Sequence, residues 1–378
     1  MKKPIALLLL SAVIAGCSST DEVNLEPMEL VDFEPTVELD EVWSKDIGAG
    51  QDARFSRLTP VISDGVLFAA GSEGEVVSLN PETGRENWSK DLDKELAGGV
   101  GAGPENIFLG SYSGTVYALS RDDGSERWQT KLSSEILSAP QSNGDVVVVQ
   151  TLDGRLYGLN AENGEQIWRY DNPVPVLTLR GTANPVLFGD KVYAGFASGK
   201  AVGLRISDGV QVWEQRVAIP QGKTELERVV DIDATPLLEG SILYASAYQG
   251  RIMAINRSSG RPMWATDSSS HKDISVLNGT IFVSGADDRL RALNSANGEQ
   301  IWENDNMLRR ELGAPQAIGS YVAVTDFEGY LHLLDREQGR FVAREKVDGD
   351  GVRASMISDG ERLYVYGNSG ELIAYRIQ

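Results

Sequence analysis

The stretch GRLYGLNAENGEQIW, Gly154 to Trp168, reads as strand, turn, strand. Gly154 ends a preceding hairpin, where a residue without Cβ can take φ > 0. Leu156 to Leu159 is a short apolar run. Asn160 to Gly164 is polar and ends in Asn-Gly, a tight-turn signal. The chain then returns through Ile167 to Trp168. The unit recurs at Gly74 to Trp88, Gly114 to Trp128, Gly199 to Trp213 and Gly250 to Trp264. It recurs again at Asp288 to Trp302, with Asp for the first Gly, and at Gly329 to Ala343, with Ala for Trp. The internal spacing never slips by a residue. Six of the 7 Trp in the chain end this unit.

The seventh Trp indicates how the fold closes. An eighth unit begins at Gly370 but the sequence stops at Gln378, before a turn and a Trp strand. Leu39 to Asp46, at the other end, contains Trp43 and resembles the missing strand. A ring whose last blade borrows a strand from the N-terminal side accounts for both facts. The expected fold is therefore all-β: an eight-bladed β-propeller over residues 39–378, with four antiparallel strands per blade.

Each repeat has an upstream half, as in Thr59 to Ile62, a Ser-Asp-Gly turn, and Val66 to Ala70. The pattern returns at Ala139-Pro140, Asn184-Pro185, Thr235-Pro236 and Ala314-Pro315, with Pro at a strand's first residue, where it is tolerated. Each blade thus runs A, B, C, D, and the fifteen-residue unit supplies C and D. The fourth residue after the opening Gly is small in Ser78, Ala118, Gly158, Gly203, Ala254, Ala292 and Ala374. Leu333 departs from this in the unit that lacks Trp, which reads as a compensating volume.

Residues 1–16 carry two Lys and an apolar run from Ile5 to Ile14, too short to span a bilayer. This reads as a signal peptide. Ile14-Ala15-Gly16-Cys17 resembles the lipobox of bacterial lipoproteins, and Cys17 is the 1 cysteine of the chain. That resemblance implies cleavage before Cys17 and its acylation, and Ser18 after it implies the outer membrane. Residues 17–38 then form a lipidated tether. From Ser18 to Glu41 there are nine acidic residues and no Lys or Arg. Such a stretch buries too little apolar surface to offset its ordering entropy, so it is expected to be solvated and extended. The net charge of −20 argues against nucleic acid as a partner and against direct attraction to anionic lipid.

The up-down strand order puts A–B and C–D turns on one side of the disk, and B–C turns with D–A crossovers on the other. From each Trp to the next opening Gly the usual distance is 24 to 27 residues, but it is 31 after Trp43, 31 after Trp168 and 37 after Trp213. With strand lengths fixed, the extra residues fall in crossovers. Two serve consecutive blades: VPVLTLRGT (Val174 to Thr182) and IPQGKTELERVVDIDATP (Ile219 to Pro236). Loops on a rigid scaffold carry recognition, so this face is the candidate binding surface.

LTLRG (Leu177 to Gly181), GKTELERVVDIDATP (Gly222 to Pro236) and the segment Glu328 to Gly351 resemble the BamB family, propeller lipoproteins of the outer-membrane β-barrel assembly machinery. The likeness runs the length of the chain. It implies a non-catalytic scaffold, lipid-anchored in the outer membrane and facing the periplasm, that binds a periplasmic POTRA domain of BamA. Through BamA it joins the Bam complex, with nascent outer-membrane proteins as further candidates. Carried over by motif, partner contact falls on Leu177, Leu179, Arg180, Asp231 and Asp233. An exposed Leu pair offers apolar area, Arg offers planar donors, and two carboxylates suit a basic partner. The packing alternative has Leu177 and Leu179 capping a blade core and Asp231 paired with Arg228.

The same repeat builds dehydrogenases that hold pyrroloquinoline quinone and Ca²⁺ at the propeller axis. Their adjacent cysteine pair and Trp platform have no counterpart here. His271 and His332 lie in different units without metal-ligand spacing, and Asp231-Ile232-Asp233 is too sparse for a Ca²⁺ loop. No cofactor and no metal are expected. A propeller that binds peptidoglycan, or that pairs a blade edge with an extended peptide, is a further alternative.

Overall fold

The computed structural model describes residues 26–51, 54 and 56–378. The expected signal peptide and Cys17 lie outside them. Eight four-stranded antiparallel sheets follow one another along the chain, and seven are consecutive meanders. The third, for example, is Gln141–Ser142, Val146–Thr151, Arg155–Asn160 and Gln166–Asp171. The short A strands of neighbouring blades touch one another, so A is innermost and D outermost. Strands B and C are buried on both faces, as in Val146–Thr151, because each sheet is covered by a sheet on either side.

The eighth blade is Ile357–Ser358, Arg362–Tyr366 and Glu371–Ile377, completed by Leu39–Asp46. Leu39 lies opposite Ile377, Trp43 opposite Ala374 and Asp46 opposite Glu371. The closure expected from the truncated last unit is therefore present.

The repeat owes its spacing to an inter-blade clasp. Each indole lies across the small strand-C residue facing it, as Trp168 does over Gly158, where a Cβ would come within 2.1 Å of the ring. Each indole N–H then donates to a carbonyl in the next blade's C–D turn. The pairs are Trp43–Pro81, Trp88–Arg121, Trp128–Ala161, Trp168–Ile206, Trp213–Arg257, Trp264–Ser295 and Trp302–Arg336, at 2.6 to 3.0 Å. The turn glycine closes the clasp from below. Gly164 has φ +74°, and a Cβ there would sit 2.5 Å from Trp128. Glycine is thus required for both backbone conformation and space.

The clasp also explains the unit that lacks Trp. Ala343 faces Leu333, in keeping with exchanged volume. The further reason is that blade eight has no C–D turn: its D strand arrives from the N-terminal side, so an indole at position 343 would have no carbonyl to meet. Val37 and Leu39 pack against this seam instead.

The expected solvated tether is corrected over its described part. Residues 26–38 lie against blade seven. Met28 N–H donates to Leu308 O at 3.0 Å and Thr36 N–H to Val342 O at 2.9 Å. Arg309 Nε donates to Glu26 O, Arg310 Nη1 to Met28 O and Arg344 Nη1 to Val31 O. Phe33 stacks on Phe341 with centroids 5.5 Å apart. The segment brings acceptors and an aromatic ring to a blade rich in arginine.

Candidate functional site

The loops from strand D to the next strand A vary from 7 to 20 residues, and the long ones are 47–60, 172–185 and 217–236. All lie on the crossover face, as the Trp-to-Gly spacing implied. The second and third of these are locked to each other. Leu179 N–H donates to Asp231 Oδ2 at 2.6 Å. Gly181 packs on the Asp233 carboxylate so closely that a Cβ would come within 2.2 Å of it. Arg180, at φ +60°, extends the other way and grips Glu135 of the preceding crossover with Nη2 at 2.8 and 3.0 Å. Three consecutive crossovers are thus joined through three residues, Leu179 to Gly181, and their partners.

The site residues divide into two groups. Leu177 and Arg180 are exposed and Leu179 is half-buried. Val174, Val176, Ile219 and Leu226 add exposed apolar surface on the same two loops, Val176 being 92 % exposed. Asp231 and Asp233 are 0 % and 3 % exposed. The expectation that they present charge to a basic partner is corrected: they are buried supports of the loop. Among the described residues Asp231 makes no ion pair with Arg228; its carboxylate accepts from the Leu179 N–H. The packing alternative is likewise corrected for Leu177, which is 40 % exposed rather than buried over a blade core.

Burial has an electrostatic consequence. The Asp231 carboxyl is pushed up to about 7, by desolvation first and by Asp233 second, with the Leu179 N–H opposing. Its Oδ1 has no hydrogen-bond partner among the described residues. Asp233 rises to about 6 through desolvation and Asp273, against the attraction of Arg57.

Toward the axis the same face is filled by side chains. Arg57 reaches from the crossover before blade one to Asp233 O at 3.5 Å and His271 O at 3.2 Å. Ser355 Oγ donates to Asp273 Oδ2 at 2.7 Å, and Asp273 Oδ1 accepts from Thr235 N–H. Lys272 beside them is brought down to about 8 by burial and by Arg57. His332 is packed in strand C, 3.0 Å from Asp326 and accepting from Arg344 Nε, while His271 is in a loop, as expected. Among the described residues no three His, Cys, Asp or Glu are grouped as metal ligands. Sequence reasoning missed Glu135, Arg57 and Asp273. Each meets its partner from a different crossover, and no local pattern marks them.

Known proteins resemble this chain throughout. The family model described as outer membrane protein assembly factor BamB matches residues 38–98, 72–304 and 286–378. The assembly factor BamB of Pseudomonas aeruginosa is 50 % identical over 376 residues, covering 100 % of this chain and 99 % of that protein. Its counterpart in Marinobacter adhaerens is 44 % identical over 373 residues, covering 98 % and 95 %. The crystal structure of BamB from Moraxella catarrhalis superposes with a TM-score of 0.82 at 28 % identity, covering 90 % of this chain and 100 % of that one. A quinohemoprotein alcohol dehydrogenase from Comamonas testosteroni superposes with a TM-score of 0.70, covering 89 % of this chain and 76 % of that one. At 14 % identity this likeness shows the fold alone.

Proposed function

The chain belongs to the BamB family of outer-membrane protein assembly factors, non-catalytic scaffolds associated with the outer membrane, and from that premise we propose that its crossover face docks a POTRA domain of BamA. The observation that carries the proposal is the interlock of three crossovers. Arg180 on Glu135 and Leu179 on Asp231 hold an irregular loop in one conformation, with Val176, Leu177 and part of Arg180 outward. A preorganised loop loses little conformational entropy on docking, and apolar anchors beside an Arg are the usual composition of interface hot spots. The Arg180–Glu135 pair is half-exposed and contributes little to stability by itself. Its value is in fixing the position of a guanidinium that stays half-exposed. In this reading Asp231 and Asp233 act through the loop, not by touching the partner. Acylation of Cys17 supplies the membrane attachment. Purified POTRA domains titrated against the propeller test the reading directly; saturable binding supports it, and absence of binding to any POTRA domain contradicts it.

A second role, toward unfolded barrel strands, has its own observation. The outward strand-D residues Ile167, Val212, Met263 and Ile301 of blades three to six are 44 to 53 % exposed, whereas the equivalent Val342 of blade seven is 9 % exposed beneath residues 36 and 37. The chain thus covers the edge of blade seven with an extended segment of its own and leaves the edges of blades three to six, which carry these apolar residues, open to edge pairing. Photo-crosslinking from position 212 or 263 to an unfolded barrel protein tests it.

A further inference from the structure

The membrane attachment above takes a definite geometry from the segment bound to blade seven. Residues 26–37 run beside its outer strand, Phe341–Lys346, from the crossover face toward the turn face. The contacts are of three kinds. Backbone carbonyls of Glu26, Met28 and Val31 accept from Arg309, Arg310 and Arg344. Backbone N–H groups of Thr36 and Val37 donate to Val342 O. Phe33 is stacked on Phe341, with the Arg344 guanidinium 5.0 Å from its ring. Arg310 is itself nearly fully buried and fixed by Asp326 at 2.7 Å, and Asp326 also holds His332. Arg310, and Arg344 through its bond to His332 Nδ1, are therefore preset, so these two lose little side-chain entropy when the segment settles.

We propose that residues 26–37 are a strap that shortens the lipid anchor and makes the crossover rim beside blade seven the membrane-proximal part of the disk. The proposal rests on the reading of Cys17 as the lipidated residue. A free chain from Cys17 to the first strand at Leu39 would reach about 75 Å when extended, whereas the chain from Cys17 to a strapped Glu26 reaches at most ~30 Å. The exit point is equally specific. Glu26 lies at Arg309, in the crossover leading to blade seven, so the anchor leaves from the face that carries the candidate docking loops. Those loops, before blades four and five, stand three and two blade positions round the ring from that exit. A short leash on one rim keeps the rest of the ring, those loops included, within a disk's width of the bilayer. The occupant of the near rim is the lipid surface itself.

The test uses full-length lipidated protein in vesicles containing an acceptor-labelled phospholipid, with a donor dye on Asp305→Cys, an exposed site in the crossover before blade seven. Three forms are compared: the parent strap, a released strap carrying Phe33→Ser with Arg344→Gln, and an intact strap with thirteen Gly/Ser residues inserted after Asn24. Flotation tests the anchor separately, because all three forms should float if Cys17 is acylated. Energy transfer to the bilayer should be highest in the parent and at least about twofold lower in both other forms, as the reach grows from ~30 toward ~75 Å. Amide exchange should show Thr36 and Val37 protected in the parent and in the inserted form and unprotected in the released one. Floating proteins with equal transfer in all three forms, or parental amides at 36 and 37 that exchange freely, would overturn the strap. Failure of every form to float would overturn the anchor reading instead, and the amide protection would then decide the strap by itself.

Discussion

On the turn face, seven C–D turns repeat the same parts at the same spacing: a left-handed glycine and a carbonyl that receives the preceding blade's indole. On the crossover face, neighbouring loops differ in length from 7 to 20 residues, and their contacts are between particular residues, such as Arg180 with Glu135 and Leu179 with Asp231. The difference separates what holds the ring from what uses it. Where one physical problem is solved seven times, the sequence repeats. Where each loop answers to its own neighbours, and to whatever docks there, it does not.

The largest expected effect breaks the clasp. Trp168→Ala removes a buried indole, its bond to Ile206 O and its cover over Gly158, and should cost about 3–5 kcal/mol. Chemical denaturation checks this; a loss below about 1 kcal/mol would mean the indole is ornamental. At temperatures where the variant stays folded, POTRA affinity should be parental. The converse, Ala343→Trp, inserts an indole where Leu333 occupies the space and no turn carbonyl is present. It should destabilise by about 1–3 kcal/mol through overpacking. A stabilised variant would show that the seam wants a Trp and that the missing turn is not the reason for Ala343.

A smaller effect separates the faces by pH. The folded-state carboxyls of Asp231 and Asp233 are raised, to about 7 and about 6, above their ordinary range. A raised acid stabilises the fold fully below its unfolded value, and that contribution is lost as pH rises through the folded value. The melting temperature should therefore fall between about pH 4 and pH 7 and level off above that. Asp231→Asn keeps an acceptor for the Leu179 N–H and should reduce that slope. An unchanged slope would remove Asp231 from the account. The smallest effect is the control: Glu162→Ala, exposed in the third C–D turn, should alter stability by less than ~0.5 kcal/mol and leave POTRA binding intact.

The ring was legible because its clasp writes the same residues at the same offsets, and closure was legible because Gly370 opens a unit with no second half. Other features depend on partners far away in the chain. Residues 26–38 look solvated by composition, since the arginines that bind them are about 280 to 310 positions distant. Asp231 and Asp233 look like surface carboxylates. Their burial arises from Leu179 and Gly181 of another crossover, which take the carboxylates against their own backbone. Ala343 was half legible: Leu333 opposite it accounts for the volume, but the absent acceptor appears only once the eighth blade is assembled.

The central claim is that the crossover face, and not the turn face, docks the partner. Calorimetric titration of BamA POTRA domains into the propeller, with and without Leu179→Ala and Arg180→Ala together, tests it most directly. Melting temperatures are matched so that lost binding cannot report unfolding. At least a hundredfold loss of affinity, about 2.7 kcal/mol, is expected for the loop variant and none for Glu162→Ala. Parental affinity in the folded loop variant, with binding lost in the turn-face variant, would contradict it.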